Sequence, residues 1–141
     1  MAPLHVEIVT AEGQIFSGET DSVTAPGSDG QLTILPSHAP IITGLDEGDL
    51  KYLDSTGEHH VALLGGFMEV NANRVTVLAN SAENAGSIDV ERAEEATRRA
   101  EQRLAEQTEE IDIERALASL RRARVRLTVA RRPGPPSVKH S

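Results

Sequence analysis

Ile88-Asp89-Val90-Glu91-Arg92-Ala93 and Ile111-Asp112-Ile113-Glu114-Arg115-Ala116 are two copies of one hexad, 23 residues apart in a chain of 141. Each copy opens a segment whose apolar residues recur at helical spacing. Each also offers an aspartate at the N-cap position, where a carboxylate accepts orphan backbone N–H groups. Two such helices in succession make an antiparallel two-helix hairpin. In the first, Ala93, Ala96, Ala100 and Leu104 form the apolar stripe; in the second, Ile113, Ala116, Leu117, Leu120, Ala123 and Leu127 do. The stripes are rich in alanine and bury little area at roughly 25 cal/mol per Å², so the hairpin is expected to be a mobile appendage that prefers a partner. Gln107–Glu110 should form the turn. Pro133-Gly134-Pro135-Pro136 should end the second helix, leaving 133–141 as a disordered tail.

Upstream of Ile88 the period changes. Short β-branched or alternating runs predict strands at Leu4–Thr10, Gln14–Glu19, Asp21–Ala25, Gln31–Leu35, Ile41–Leu45, Gly48–Leu53, His59–Leu64, Phe67–Val70 and Arg74–Ala79. Glu12-Gly13, Pro26-Gly27, Asp29-Gly30, Glu47-Gly48, Thr56-Gly57 and Asn71-Ala72-Asn73 supply the turns. Many short strands at this spacing indicate an antiparallel sandwich or barrel. In the first strand Leu4, Val6 and Ile8 share one face, and His5, Glu7 and Val9 the other. Asn84-Ala85-Gly86-Ser87 joins the two parts. The expected organisation is therefore an all-β sandwich over 1–83, a helical hairpin over 84–132 and the tail.

Charge follows the same division. Residues 1–87 carry net −10 and residues 88–141 net +2, together −8. An acidic body disfavours nucleic acid, whose phosphates demand clustered Lys and Arg. The chain has no cysteine, which excludes disulfides and thiolate chemistry. No apolar run approaches the roughly 20 residues of a membrane span, and the first residues lack signal-peptide or transit character. The expectation is a soluble protein of the cytoplasmic side, which leaves docking on a membrane complex open.

At about 100° per residue, Arg92, Arg99 and Arg103 fall on one flank of the first helix and Arg115, Arg122 and Arg126 on one flank of the second. In an antiparallel pair these flanks lie on the same side, so six guanidiniums would line one edge. Guanidinium forks match phosphate or carboxylate oxygens. The plainer reading is a solvated face with salt bridges to Glu95, Glu106 and Glu109, each worth at most about 1 kcal/mol. From the pattern alone that outcome is the commoner one. Catalytic constellations are missing. There is no G-x-x-x-x-G-K-[ST] and no G-x-G-x-x-G. His59 and His60 point to opposite faces of a strand and cannot chelate together. Asp21, Ser37 and His38 make a triad only on paper. His38, in a loop between two prolines, reads as a turn histidine with one satisfied nitrogen. Gly65-Gly66, inside an apolar strand pattern, marks a bulge or a close backbone approach.

Five segments carry a resemblance: Val9-Thr10-Ala11-Glu12-Gly13, Leu32 to Pro40 (LTILPSHAP), Leu64-Gly65-Gly66-Phe67-Met68-Glu69-Val70, Val75-Thr76-Val77-Leu78-Ala79, and the Ile88–Ala93 head. In this order, and nearly without gaps over residues 4–132, they closely resemble the epsilon-subunit family of bacterial F-type ATP synthases. The resemblance implies a non-catalytic subunit of the central rotor stalk. Its sandwich would bind the gamma subunit and touch the ring of c subunits. Its helices would extend along gamma into the alpha/beta catalytic head and inhibit ATP hydrolysis.

Some members of that family bind ATP in the folded hairpin through an I/L-D-x-x-R-A motif, as a regulatory ligand that is not turned over. Ile88, Asp89, Arg92 and Ala93 match the motif, and Glu83, Arg99, Arg122 and Arg126 occupy the supporting positions. The resemblance moves the arginine edge towards a nucleotide site, with arginines on the phosphates and the head of the first helix at the base and ribose. It also implies a c-ring contact around Gln31 and His38. Many relatives have Glu at position 31 and Gly at position 37, where this chain has Gln31 and Ser37. In the extended state Arg121, Arg122, Arg124 and Arg126 would face an acidic loop of the catalytic head, so Arg122 and Arg126 would serve two mutually exclusive poses. The alternative is a stand-alone nucleotide-sensing regulator, which stable co-purification with a gamma-like subunit would exclude.

Overall fold

A computed structural model describes residues 2–106 and 109–134. Eight strands precede two helices: β1 Leu4–Thr10, β2 Gly13–Thr20, β3 Ser22–Gly27, β4 Gly30–Ile34, β5 Ile41–Asp54, β6 Gly57–Asn71, β7 Arg74–Ala79 and β8 Ala82–Asn84, then α1 Val90–Glu106 and α2 Glu110–Ala130. A 3₁₀ turn at Ala85–Ser87 joins the two parts.

The two pairs of short strands expected over 41–53 and 59–70 are each one long strand. β5 and β6 pair in a single antiparallel register from Ile41↔Val70 to Asp54↔Gly57, skipping only Asp46 opposite Gly65. Their two halves belong to different layers. The 41–45 and 66–70 halves continue through β7 and β1 to β2; the other half of β5 pairs with β3, which carries β4, and the other half of β6 pairs with β8. Gly65-Gly66 is where β6 changes layer. The unbroken register makes this a close approach and not a bulge. Gly66 has φ +143, and a Cβ there would lie 2.2 Å from the Leu78 carbonyl oxygen, so only glycine fits. The ladder is antiparallel except between β1 and β7, which run parallel. β8 was not expected; three residues are too few to show a period.

Strand alternation fills the space between the layers. Leu4, Val6 and Ile8 of β1 are fully buried against Val75 and Val77 of β7 and Met68 and Val70 of β6. Val23, Ile34, Leu50, Val61 and Leu63 close the core from the other layer. At its edge the rings of Phe16, Tyr52 and His59 stack with centroids 4.2 and 4.8 Å apart.

The first helix begins as its sequence requires: Asp89 Oδ1 accepts the Arg92 backbone N–H at 3.1 Å. The second begins earlier than expected. Glu109 precedes α2 and Asp112 lies inside its first turn, where a carboxylate still meets the positive end of the helix dipole. Gln107 and Thr108 of the expected turn, and 135–141 of the expected tail, lie outside the described residues. The hairpin seam is formed by Ala93 and Ala100 of α1 and Ala116, Leu120 and Ala123 of α2. Leu117 is instead exposed, and Ala96, Leu104, Ile113 and Leu127 are only half-buried. A second face of α2, absent from the sequence reading, docks the hairpin on the outer side of the β5–β6 layer. There Val129 is fully buried with Ala62 and Ile88, flanked by Val125 and Ala130.

Candidate functional site

Docking α2 against the sandwich leaves a cavity of about 740 Å³ between the two parts. The end of β8 supplies Glu83, the joint supplies Ser87 and Ile88, the first turns of α1 supply Asp89, Arg92, Ala93, Glu95, Ala96 and Arg99, and α2 supplies Arg126. The volume is that of an ordinary small-molecule site. Ile88 is buried beside the cavity, while Asp89 caps α1 by accepting the Arg92 N–H.

Seven of the eight proposed ligand residues thus meet in one place: Glu83, Ile88, Asp89, Arg92, Ala93, Arg99 and Arg126. Arg122 does not line the cavity. It sits one turn before Arg126, half-buried, with Nη2 donating to Ser119 Oγ at 3.4 Å. The edge of six guanidiniums is likewise reduced to three, because Arg103 and Arg115 are exposed elsewhere on the hairpin. Ser87, Glu95 and Ala96 also line the cavity but were not among the expected ligand residues. Glu95 had a sequence signal, four residues before Arg99 on one helix face.

Acids offset the cations in this cavity. Arg126 Nε donates to Glu83 Oε1 at 2.7 Å, tying α2 to β8, and Arg99 Nη2 donates to Glu95 Oε1 at 2.9 Å. Arg92 has no ion pair among the described residues. A phosphate group entering here would meet Arg92 directly and compete with carboxylates for the other two. The expected salt bridge to Glu95 is present, with Arg99 as its partner.

The remaining candidates lie apart. Gln31 is exposed at the start of β4, and His38 is half-buried beyond its far end, so one strand separates them. His38 Nδ1 donates to the Ala39 carbonyl at 2.7 Å, the single satisfied nitrogen expected of it. Ser37 has φ +70 and its N–H donates to Asn73 Oδ1 at 2.7 Å. Arg121 and Arg124 point outward from α2, Arg124 4.0 Å from Glu101, whereas Arg122 and Arg126 are half-buried. His59 and His60 do face apart. His59 Nε2 is 2.7 Å from Thr56 Oγ1 and 3.0 Å from Asp54; His60 lies between Asp49 and Glu58. Burial pushes the Tyr52 phenol up to about 12, with Asp54 adding to the shift. Among the described residues no group of three or more His, Asp or Glu is placed to hold a metal ion, and no helix is long and apolar enough to cross a membrane.

The fold is a β-sandwich carrying a docked helical hairpin, with an arginine-lined cavity at their joint. Family models match both parts: the beta-sandwich domain of the ATP synthase delta/epsilon chain over residues 3–85, and its long alpha-helix domain over 87–131. The chain belongs to the ATP synthase delta/epsilon family and is a non-catalytic subunit of the rotary complex. It is 50% identical to the ATP synthase epsilon chain of Dehalococcoides mccartyi over 107 residues, 76% of each chain. To that of Desulforamulus reducens it is 53% identical over 100 residues, 71% of this chain and 76% of the other. The fold also matches a chain of the Euglena gracilis mitochondrial ATP synthase OSCP/F1/c-ring structure, with TM-score 0.75 and 19% identity over 86% of this chain and 77% of that one. A chain of the Tetrahymena thermophila central stalk/c-ring structure matches with TM-score 0.62 and 14% identity, over 91% and 96%.

Proposed function

We propose that this chain is an epsilon-type subunit of a proton-translocating ATP synthase central stalk on the cytoplasmic face of the bacterial cell membrane, where it couples gamma to the c-ring and restrains ATP hydrolysis through its helices. The outer face of the first layer supports a gamma contact. Ile42, Phe67 and Leu78 stand exposed there on three adjacent strands, an apolar patch of the kind that marks a partner surface. The β4 end around Gln31 and the loop around His38 are the proposed c-ring contacts.

The cavity is the proposed regulatory ATP site, and the observation that carries this reading is the meeting of Arg92, Arg99 and Arg126 with the Ile88–Ala93 head across the joint. Bound ATP would bridge α1, α2 and β8 and so favour the docked pose over the extended one, a population shift set by differential affinity. In the extended pose Arg126 leaves Glu83 and, with Arg121, Arg122 and Arg124, becomes available to acidic groups of the catalytic head. Calorimetric titration of the full chain with ATP, with Arg92→Ala beside it, tests the site. Losing one charge-assisted contact should weaken binding about 10- to 100-fold. Unchanged affinity, or no binding at millimolar ATP, would remove the nucleotide from this reading and leave the arginines as a docking surface.

A further inference from the structure

A second cavity, of about 380 Å³, opens on the seam between hairpin and sandwich and shares no lining residue with the arginine cavity. β2 supplies Phe16, the end of β5 Tyr52 and the start of β6 His59; the joint supplies Asn84, and Arg132 reaches in from just past α2. The wall is mainly apolar. Its aromatic side is fixed by packing, since the three rings stack on one another and His59 Nε2 is held by Thr56 and Asp54. Asn84 Nδ2 donates to the Ile15 carbonyl at 3.3 Å and so ties the joint to β2. A pocket whose walls are held in this way needs little ordering when a ligand enters.

Arg132 sets the charge. Its Nε donates to Asp49 Oδ2 at 3.1 Å, which anchors the side chain, while its two Nη groups make no hydrogen bond among the described residues. No aspartate or glutamate among the described residues lines this cavity, so its one permanent charge is a cation. The arginine cavity differs in both respects, with three guanidiniums and three carboxylates around nearly twice the volume. A triphosphate would bring more negative charge than one guanidinium can match. A flat apolar body with a single carboxylate suits the smaller space: the body lies against the rings, and the planar fork meets the carboxylate.

We propose that this cavity is a second ligand site, which takes a small aromatic monocarboxylate between the rings of Phe16, Tyr52 and His59 and the Arg132 guanidinium and so holds the end of α2 on the sandwich. Arg132 reaches the rings only in the docked pose, so the ligand favours that pose through its differential affinity. Val129 and its few neighbours give the dock little apolar area of its own, so a ligand bridging the seam shifts the balance. The inference rests on the docked geometry and not on any nucleotide in the arginine cavity.

The test uses the full chain without nucleotide, with 2-naphthoate as the probe and 2-naphthamide as its uncharged counterpart. Tyr52 is the only tyrosine, so its ring signals in proton NMR report directly on this cavity. Both compounds should shift these signals saturably. 2-Naphthoate should bind about 5- to 20-fold more tightly, the value of a charge-assisted contact discounted for a half-exposed guanidinium. Arg132→Gln should bring that ratio close to one. The ratio separates loss of the charge from loss of the docked pose, because undocking weakens both compounds alike. Arg131→Gln, one exposed residue earlier, should keep the preference. At about ten times its dissociation constant, 2-naphthoate should slow amide exchange over residues 125–130 about ten-fold. The proposal is overturned by the absence of a saturable Tyr52 shift at millimolar 2-naphthoate, by a preference that survives in Arg132→Gln or is lost equally in Arg131→Gln, or by unchanged exchange at the end of α2.

Discussion

Asp54 shows how one turn stores pH-dependent stability. Burial pushes its carboxyl up, but hydrogen bonds from Thr56 and His59 outweigh this and leave the group below its ordinary value of 3.8. A carboxyl depressed in the folded state stabilises the fold above its unfolded value and loses that contribution as pH falls through the folded one. The β5–β6 turn should therefore weaken below about pH 4. Asp54→Asn should flatten the fall in urea midpoint between about pH 5 and pH 2.5 while lowering the midpoint at neutral pH. Ser37 is a second local case. Its φ of +70 is a left-handed conformation that disfavours a Cβ. Ser37→Gly should raise stability by up to about 1 kcal/mol in urea unfolding, because relief of strain exceeds the added chain entropy. Neither effect could be read from sequence. Asp54-Ser55-Thr56-Gly57 announced a turn, but not which carboxylate oxygen would be enclosed by it.

Among the elements, β6 is the most constrained. A methyl group at Gly66 collides with the Leu78 carbonyl oxygen at 2.2 Å, so Gly66→Ala should cost about 2–4 kcal/mol, measured as the loss in unfolding free energy. The sequence marked this glycine pair as unusual because it interrupted an apolar strand pattern. It did not reveal that 41–45 and 48–53 belong to one strand, since Glu47-Gly48 carries turn chemistry that tertiary pairing overrides. For α2 the alanine stripe correctly gave the face towards α1. The docking face escaped notice because Val125 and Val129 fall outside that stripe and are received by Ala62 and Ile88, far away in sequence. Val129→Ala should weaken docking by about 1–2 kcal/mol, visible as faster hydrogen exchange at the end of α2 with the sandwich amides unchanged. At the site, the Ile88–Ala93 head was singled out by the family resemblance, and Ile88, Asp89, Arg92 and Ala93 of it line the cavity. The absence of Arg122 from the cavity was not legible, because a helical wheel fixes a side and not a depth.

The described residues present three surfaces of different chemistry: an exposed apolar patch on one layer, an arginine-lined cavity at the joint, and outward arginines on the hairpin. For the first, a Phe67→Ser and Ile42→Ser double variant should fold with near-wild-type stability, since both side chains are exposed, and should lose affinity for isolated gamma subunit by about 100-fold or more in calorimetry. An unchanged affinity would move the contact elsewhere. The two layers of the sandwich are not separate plates held by side chains. β5 and β6 pass through both, so the covalent chain itself crosses the seam twice. Under mechanical load that continuity changes the failure mode. Torque applied at Phe67 reaches the His60 face along the backbone of a single strand, and the layers cannot slide past one another without rupturing a run of ladder bonds in shear. The sandwich is a stiff bracket, and in a turning shaft the compliance is left to the hairpin clipped on its side.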